Sequence, residues 1–277
     1  MAVIVEKMTT PLVSICIPVF NTVKYIGKTI ESVLDQQYSN IEILVQDNAS
    51  TDGTWELLES LAYDHPQIKI ECNQKNLGMS GNWNTVIRRA QGDYVILLSA
   101  DDLLKPKFLT SCMHAFATGE FDFVATHFWY VYSDGSTGIR PATIPNADGI
   151  YQDFACEVLR INPFQINFTL FKKSLIDKII INNGDLFSKY LTCDYGLFLR
   201  LGVSRVRMKY LAESYGYYRI HESNTSNNQK KLQWHTMLTL LSLFLPLIIR
   251  CPRQYFKTFF YVQRRLIIEV VKFFFKK

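Results

Sequence analysis

No G-x-G-x-x-G follows the first apolar run of this chain, and no G-x-x-x-x-G-K-[ST] occurs anywhere in its 277 residues. Both absences weigh against a dinucleotide dehydrogenase and a P-loop nucleotidase. The six cysteines (Cys16, Cys72, Cys112, Cys156, Cys193 and Cys251) form no C-x-x-C pair and lie far apart. That pattern excludes a zinc ribbon and argues against a disulfide scaffold, so a reducing cytosol is the expected setting. The first residues, MAVIVEKMTTPLVSI, lack a basic segment leading into an apolar core, so no secretory signal is expected there. The apolar run Met237–Ile249 is 13 residues long and contains Pro246. It is too short for the ~20 residues that a membrane-spanning helix needs. There is no internal repeat, no low-complexity tract and no linker long enough to separate two independent domains.

Charge is unevenly spread. Residues 250–277 carry eight basic side chains against one acid, which leaves residues 1–249 at a net −2 although the whole chain is +5. The body therefore offers no basic footprint for nucleic acid.

The first hundred residues alternate between short apolar runs and helical spacing. Val13–Phe20, Ile41–Gln46, Ile68–Cys72 and Tyr94–Leu98 read as strands. Helical patterns follow each of the first three, carried by Ile26, Ile30 and Val33, then Trp55, Leu58 and Leu61, then Trp83, Val86 and Ile87. Apolar strands that do not alternate predict an α/β fold whose central sheet is mostly parallel and covered on both faces. From Phe108 to about Phe187 the pattern loosens. Phe121–Tyr132 reads as a long strand, DGSTGIRPATIPNADG as loop, Asn167–Phe171 as a short strand, and Asp194–Leu201 as a helix.

In open parallel sheets ligands sit outside the carboxyl ends of the strands, and here those ends are polar. The first closes with Pro18, Phe20 and Asn21, the second with Asp47, Asn48 and Asp52, the third with Asn76 and Gly78, and the fourth with Asp101 and Asp102. Singly, each is a plausible turn or helix cap. Two adjacent carboxylates at the mouth of an apolar strand repel each other and cost desolvation unless a cation faces them. Hard divalent ions take carboxylate oxygens and share their remaining positions with phosphates, which gives the pair a chemical reason. The alternative is that both acids cap the helix after Pro106.

Five blocks in order resemble glycosyltransferase family 2, the inverting nucleotide-sugar transferases with the GT-A fold. They are VSICIPVFN, QDNASTDGT, NLGMSGNWNTVIRRAQGDYVILLSADD, LTCDYGLFLRL and YYRIHESNTS, spanning about residues 12–226. The resemblance implies a catalytic domain over 1–226, with a nucleotide-binding half at 1–106 and an acceptor-binding half at 107–226. It implies that Pro18, Phe20, Asn21, Asp47 and Asn48 hold the nucleobase side, that Asn76 and Gly78 complete the donor site, and that Asp101 contacts the ribose. It gives the metal, Mn²⁺ or Mg²⁺, to Asp102 with His221, and the role of general base to Asp194. Ser99 and Cys193 stand where many members carry acids. The loss of an acid beside Asp194 is expected to lower its pKa unless burial offsets it. The missing Q-x-x-R-W element implies one sugar per encounter.

Residues 227–277 interleave aromatic and basic side chains, a composition suited to the surface of an anionic membrane. The expected activity is therefore transfer of a sugar from a UDP- or dTDP-sugar to a lipid-linked saccharide, as in O-antigen or capsule assembly, by a peripheral protein on the inner face of the cell membrane. A nucleotide-sugar binding protein without turnover is the alternative of another class. A nucleotidyltransferase lacks its Gly-rich, Arg-bearing first loop.

Overall fold

The computed structural model describes residues 10–139, 148–160, 162–180, 184–190, 192–204, 206–222, 224, 229–250, 264 and 267–268. Every side chain of β1 (Val13–Val19) is buried, as is nearly every one of β2 (Ile41–Asp47). Strands with both faces covered belong inside a parallel sheet. Strands β3 (Ile68–Cys72) and β4 (Tyr94–Leu97) flank them, giving the order β3-β2-β1-β4 with every pairing parallel. The connecting helices are α1 (Ile26–Leu34), α2 (Thr54–Asp64) and α3 (Gly78–Arg88). Helix α3 packs on β1, β2 and β4, burying Val86 and Ile87.

Beyond β4 the sheet becomes mixed. After β5 (Leu103–Leu104) and α4 (Phe108–Ala117) come the long β6 (Phe123–Val131) and β7 (Thr137–Ile139). Next are β8 (Gly149–Tyr151), α5 (Ala155–Arg160), a 3-10 turn (Ile166–Phe168) and β9 (Thr169–Lys172). Helices α6 (Lys173–Ile179) and α7 (Cys193–Gly202), strand β10 (Met208–Arg219) and helix α8 (Gln229–Arg250) complete the order. Strand β9 is antiparallel to both β4 and β6, and β10 is parallel to β6. Two reversals restore the original direction, so the carboxyl end of β10 arrives at the same edge as that of β4. That edge holds the polar strand ends singled out in the sequence.

An aromatic core holds the second half together. Phe123 of β6 packs against Phe154, Phe171 and Phe198, with Phe164 closing the group. At Gly216 the backbone of β10 passes so close to the Phe168 ring that a Cβ would overlap it. Glycine there lets β10 pair with β5 at Leu103 and Leu104.

The strands and helices expected at 13–98, 121–132 and 194–201 are present with ends shifted by one or two residues. The expected strand Asn167–Phe171 begins as the 3-10 turn and continues as β9. The segment read as loop, from Asp134, contains β7 and the start of β8, and its residues 140–147 lie outside the described residues. Strand β10 has no counterpart in the sequence reading. Helix α8 packs on α7, with Thr239 and Leu240 buried and the Thr239 and Thr192 hydroxyls 2.8 Å apart. Most of the tail beyond Arg250 lies outside the described residues. Among the described residues no helix is long and apolar enough to cross a membrane.

Candidate active site

The first two strand-end loops are tied into one unit. Asn21 sits in the left-handed region at φ 52°, which asparagine tolerates better than most residues. Its N–H donates to Ser50 Oγ (2.8 Å) and its Oδ1 accepts from the Thr51 N–H (2.8 Å). The Val23 N–H donates to Asp52 Oδ2 (3.2 Å) and the Thr22 N–H to Thr54 Oγ1 (3.0 Å). Burial alone would raise the Asp52 carboxyl, but hydrogen bonds from Thr54 and Val23 outweigh it and hold it below its usual range. Pro18 is buried in β1 opposite Gln46, beyond the last residue paired with β4, where no ladder bond needs its missing N–H. Phe20, 43% exposed, leaves a ring face open to solvent at this edge.

Asp47 and Asn48 point inward. Asp47, fully buried, accepts from the Ser50 N–H (2.9 Å), the Ser50 hydroxyl (2.5 Å) and the Cys72 thiol (3.3 Å). The Asn48 amide donates to Asn76 Oδ1 (2.9 Å) and the Gly78 carbonyl (3.4 Å), and accepts from Asn73 Nδ2 (3.0 Å) and the Leu77 N–H (2.9 Å). An amide has two donor and two acceptor positions, and all four are used. In this structure Asn48 builds the loop, and so does Asn76, whose Oδ1 also accepts the Gly78 N–H (2.8 Å). Gly78, at φ 74°, supplies the left-handed turn into α3.

The acid pair divides. Asp102 is 1% exposed and both its oxygens are engaged, Oδ1 by the Arg219 N–H (2.9 Å) and Oδ2 by Asn167 Nδ2 (2.5 Å). Ser99 donates to Asn167 Oδ1 (3.0 Å) and so braces the same group. Burial first, and then the neighbouring Asp101 charge, push the Asp102 carboxyl well above the usual carboxylate range. Asp101 is half-buried, and its Oδ2 lies 2.9 Å from His221 Nε2. The Arg219 Nε–H donates to the Asp101 carbonyl (2.9 Å). The Tyr25 ring stacks on the His221 imidazole (4.7 Å between centroids, 17° between planes), and the Arg219 guanidinium lies 5.4 Å from the same ring centre.

This geometry reverses the surroundings expected for the two acids. Asp102, expected to bind the metal, is an internal bracket between β4, β10 and Asn167. Asp101, expected on the ribose, stands beside His221. Asp101 Oδ2 and His221 Nε2 stand 2.9 Å apart, the distance of a direct hydrogen bond between carboxylate and imidazole, and close to the ~3.0 Å between neighbouring ligands of an octahedral ion. Carboxylate oxygens suit hard divalent ions such as Mn²⁺ and Mg²⁺, whose remaining positions go to phosphate and water. Among the described residues no group of three His, Cys, Asp or Glu could hold a metal by itself.

Asp194 opens α7, which packs on α5 and α8, and no described contact joins it to Asp101 or His221. Burial raises its carboxyl above the usual range, partly opposed by hydrogen bonds from backbone N–H groups including that of Tyr195. The lowering expected from the missing acid neighbour is thus outweighed by burial. Three participants escaped the sequence reading: Arg219, Tyr25 and Asn167. Arg219 lies inside the quoted YYRIH block, whereas Tyr25 lies one residue ahead of the first helical pattern, at Ile26.

Comparison with known proteins places the chain among transferases. Residues 14–180 match a family model described as glycosyl transferase family 2. Chondroitin synthase of Escherichia coli is 38% identical over 106 residues, which are 38% of this chain and 15% of that protein. Among solved structures, S. aureus TarS in complex with UDP-GlcNAc superposes with a TM-score of 0.65 at 18% identity, covering 84% of this chain and 66% of TarS. The mannosyltransferase PcManGT from Pyrobaculum calidifontis, solved with GDP-Man and Mn²⁺, gives 0.65 at 17% identity, covering 98% of this chain and 89% of that one. The chain thus spans a small part of the chondroitin synthase and just under two thirds of the TarS chain. At these identities the structural matches speak for the fold, which is that of GT-A transferases.

Proposed function

The chain belongs to glycosyl transferase family 2, and we propose that it moves one sugar from a UDP- or dTDP-sugar to a hydroxyl of a lipid-linked saccharide, with inversion at the anomeric carbon. The observation that carries this reading is the Asp101–His221 pair, 2.9 Å apart, at the edge where β4 and β10 end together. The nucleotides named in the TarS and PcManGT complexes and the Mn²⁺ of PcManGT support a nucleotide-sugar donor and a divalent ion.

In this proposal Asp101 and His221 hold Mn²⁺ or Mg²⁺, and the ion, when bound, supplies positive charge to the departing diphosphate. Arg219, fixed by its Nε bond to the Asp101 carbonyl, turns its guanidinium to the same phosphates. Asp102 keeps the turn after β4 in register with β10. The open face of Phe20 and the polar rim of Asn21 and Ser50 receive the base, while Asp47, Asn48, Asn76 and Gly78 keep that rim rigid. Asp194 takes the proton of the acceptor hydroxyl. The oxygen then bonds to the anomeric carbon from the face opposite the diphosphate, whose bond breaks in the same displacement. A carboxylate raised by burial is more basic than an ordinary aspartate, as a proton acceptor should be.

The acceptor side of the proposal places the protein on an anionic membrane surface. Trp234 (40% exposed) and Leu241 (53% exposed) stand seven residues apart on α8, two helical turns, on the side away from buried Thr239 and Leu240. Lys230 and Lys231 begin the helix, and the basic residues of 250–277 follow it. Such a face suits the interfacial layer of a bilayer. Incubation with a panel of nucleoside-diphosphate sugars and Mn²⁺, with free nucleotide read by chromatography, tests the activity. Release from one UDP- or dTDP-sugar, lost in Asp101→Ala and with EDTA, is expected. Absence of release and of transfer to lipid-linked acceptors would leave a binding protein. Flotation with phosphatidylglycerol liposomes tests the membrane face, and Trp234→Ser with Leu241→Ser should reduce it.

A further inference from the structure

Tyr25 is the first residue at this edge whose side chain meets two groups of the proposed site at once. It caps the start of α1, where its N–H donates to the Thr22 carbonyl (2.9 Å). Its loop is fixed from the other side by Thr54 and Asp52. One rigid ring therefore projects from the donor-side loop against groups that arrive 196 residues later in the chain, at His221. We propose that Tyr25 is a positioning residue, whose ring orients the His221 imidazole toward Asp101 and holds the Arg219 guanidinium beside it. This inference rests on the metal-site reading above.

The geometry gives each part of the claim. The rings of Tyr25 and His221 are nearly parallel, at 17°, with centroids 4.7 Å apart, which fixes the tilt of the imidazole. Nε2 then falls 2.9 Å from Asp101 Oδ2. The segment bearing His221 follows the end of β10 and is tied to Asn224, which accepts the His221 N–H (2.5 Å) and donates to the Arg219 carbonyl (3.1 Å). Those bonds hold the backbone but leave the ring to turn about its own side-chain torsions. Tyr25 and Asp101 limit that turn, the first through the ring face and the second through the ring edge. The Arg219 guanidinium lies 5.4 Å from the Tyr25 ring centre, within the range of cation–π attraction. Its Nε is committed to the Asp101 carbonyl at 2.9 Å. A metal-binding histidine depends on such outer partners, whose loss commonly weakens metal affinity ~10-fold to ~100-fold. None of these contacts uses the Tyr25 hydroxyl, so phenylalanine should serve and a non-aromatic residue should not.

The test is Mn²⁺ titration of the full chain in the presence of UDP, by calorimetry or by the electron paramagnetic resonance of free Mn²⁺, with melting temperatures taken without metal. Tyr25→Phe should bind Mn²⁺ within about twofold of the wild type, because the stacking face is kept. Tyr25→Ala should bind about tenfold more weakly or worse. Tyr25→Leu, which retains most of the packed volume, should do the same and decides the matter if the alanine variant does not fold. Wild-type affinity in the leucine or alanine variant would overturn the inference, and so would equal weakening in Tyr25→Phe. Asp101→Ala and His221→Ala keep the two levels apart. If both bind Mn²⁺ like the wild type, the metal-site reading itself fails. If they lose it while Tyr25→Leu does not, only the role of Tyr25 fails.

Discussion

Replacing Asp102 by alanine should cost stability first and metal binding hardly at all, whereas replacing Asp101 should do the reverse. Asp102→Ala strips the acceptors from two donors, the part-buried Arg219 N–H at 2.9 Å and the buried Asn167 Nδ2 at 2.5 Å. Each orphaned donor costs ~1–3 kcal/mol, a gross loss of ~2–6 kcal/mol. Relief of the Asp101–Asp102 repulsion and of Asp102's own desolvation, which together raise its carboxyl, gives part of this back. A net loss of ~2–4 kcal/mol remains, which in a chain of this size lowers the melting temperature by roughly 4–16 °C. Asp101→Ala removes one half-buried contact worth ~1 kcal/mol, a fall of ~2–4 °C. Differential scanning fluorimetry in EDTA, followed by Mn²⁺ titration at 20 °C, reads both quantities on the same samples. The folded Asp102→Ala protein should still bind Mn²⁺ with UDP, and Asp101→Ala should not. The reasoning is refuted if Asp102→Ala melts like the wild type and binds no Mn²⁺ while Asp101→Ala binds it normally.

Two further expectations follow from buried carboxylates. Because burial raises Asp194, the acidic limb of kcat/KM should fall above the ~3.9 of an ordinary aspartate, and Asp194→Asn should lower kcat by ~10²–10⁴ without weakening donor binding. An acidic limb at the ordinary value, or full turnover by that variant, would remove Asp194 from the mechanism. Glu42 is almost fully buried, and although burial alone would raise it, bonds from the Ser14 hydroxyl (2.6 Å), the Gln91 N–H (2.8 Å) and Lys69 (3.0 Å) hold it below its usual range. Its folded pKa lies below the unfolded value, so its stabilisation is full above about pH 4.3 and is lost as pH falls through the lower folded value. Glu42→Ala should therefore cost ~2–4 kcal/mol at pH 7 by thermal melting, with the gap to the wild type closing only in stronger acid. An equal gap at pH 7 and at pH 2 would contradict this.

The first hundred residues were legible because their signals are local. Runs such as VSICIPV and IEILVQD have both faces covered and read as interior parallel strands without knowledge of their neighbours. Strand β10 was not legible. Its sequence MKYLAESYGYYR mixes charge, glycine and tyrosine, and its register slips twice against β6, so no period of two survives. The division of labour between Asp101 and Asp102 depends on that missing strand. Which carboxylate turns inward is fixed by the Arg219 N–H, 117 residues away in sequence. Asn48 shows the same limit, since its four bonds go to Asn73, Asn76, Leu77 and Gly78, a network that the spacing of asparagines does not announce. His221 was found through the Y-R-x-H block, and only the folded chain brings Tyr25 and Arg219 to it.

The central claim is that Asp101 and His221 together hold a divalent ion for the donor's diphosphate. Crystals grown with UDP and Mn²⁺, measured on both sides of the manganese edge, test it most directly. The account predicts one anomalous peak about 2.0–2.3 Å from an Asp101 carboxylate oxygen and from His221 Nε2, touching the diphosphate. A peak bonded to Asp102 instead, or UDP bound with no manganese between Asp101 and His221, would contradict it.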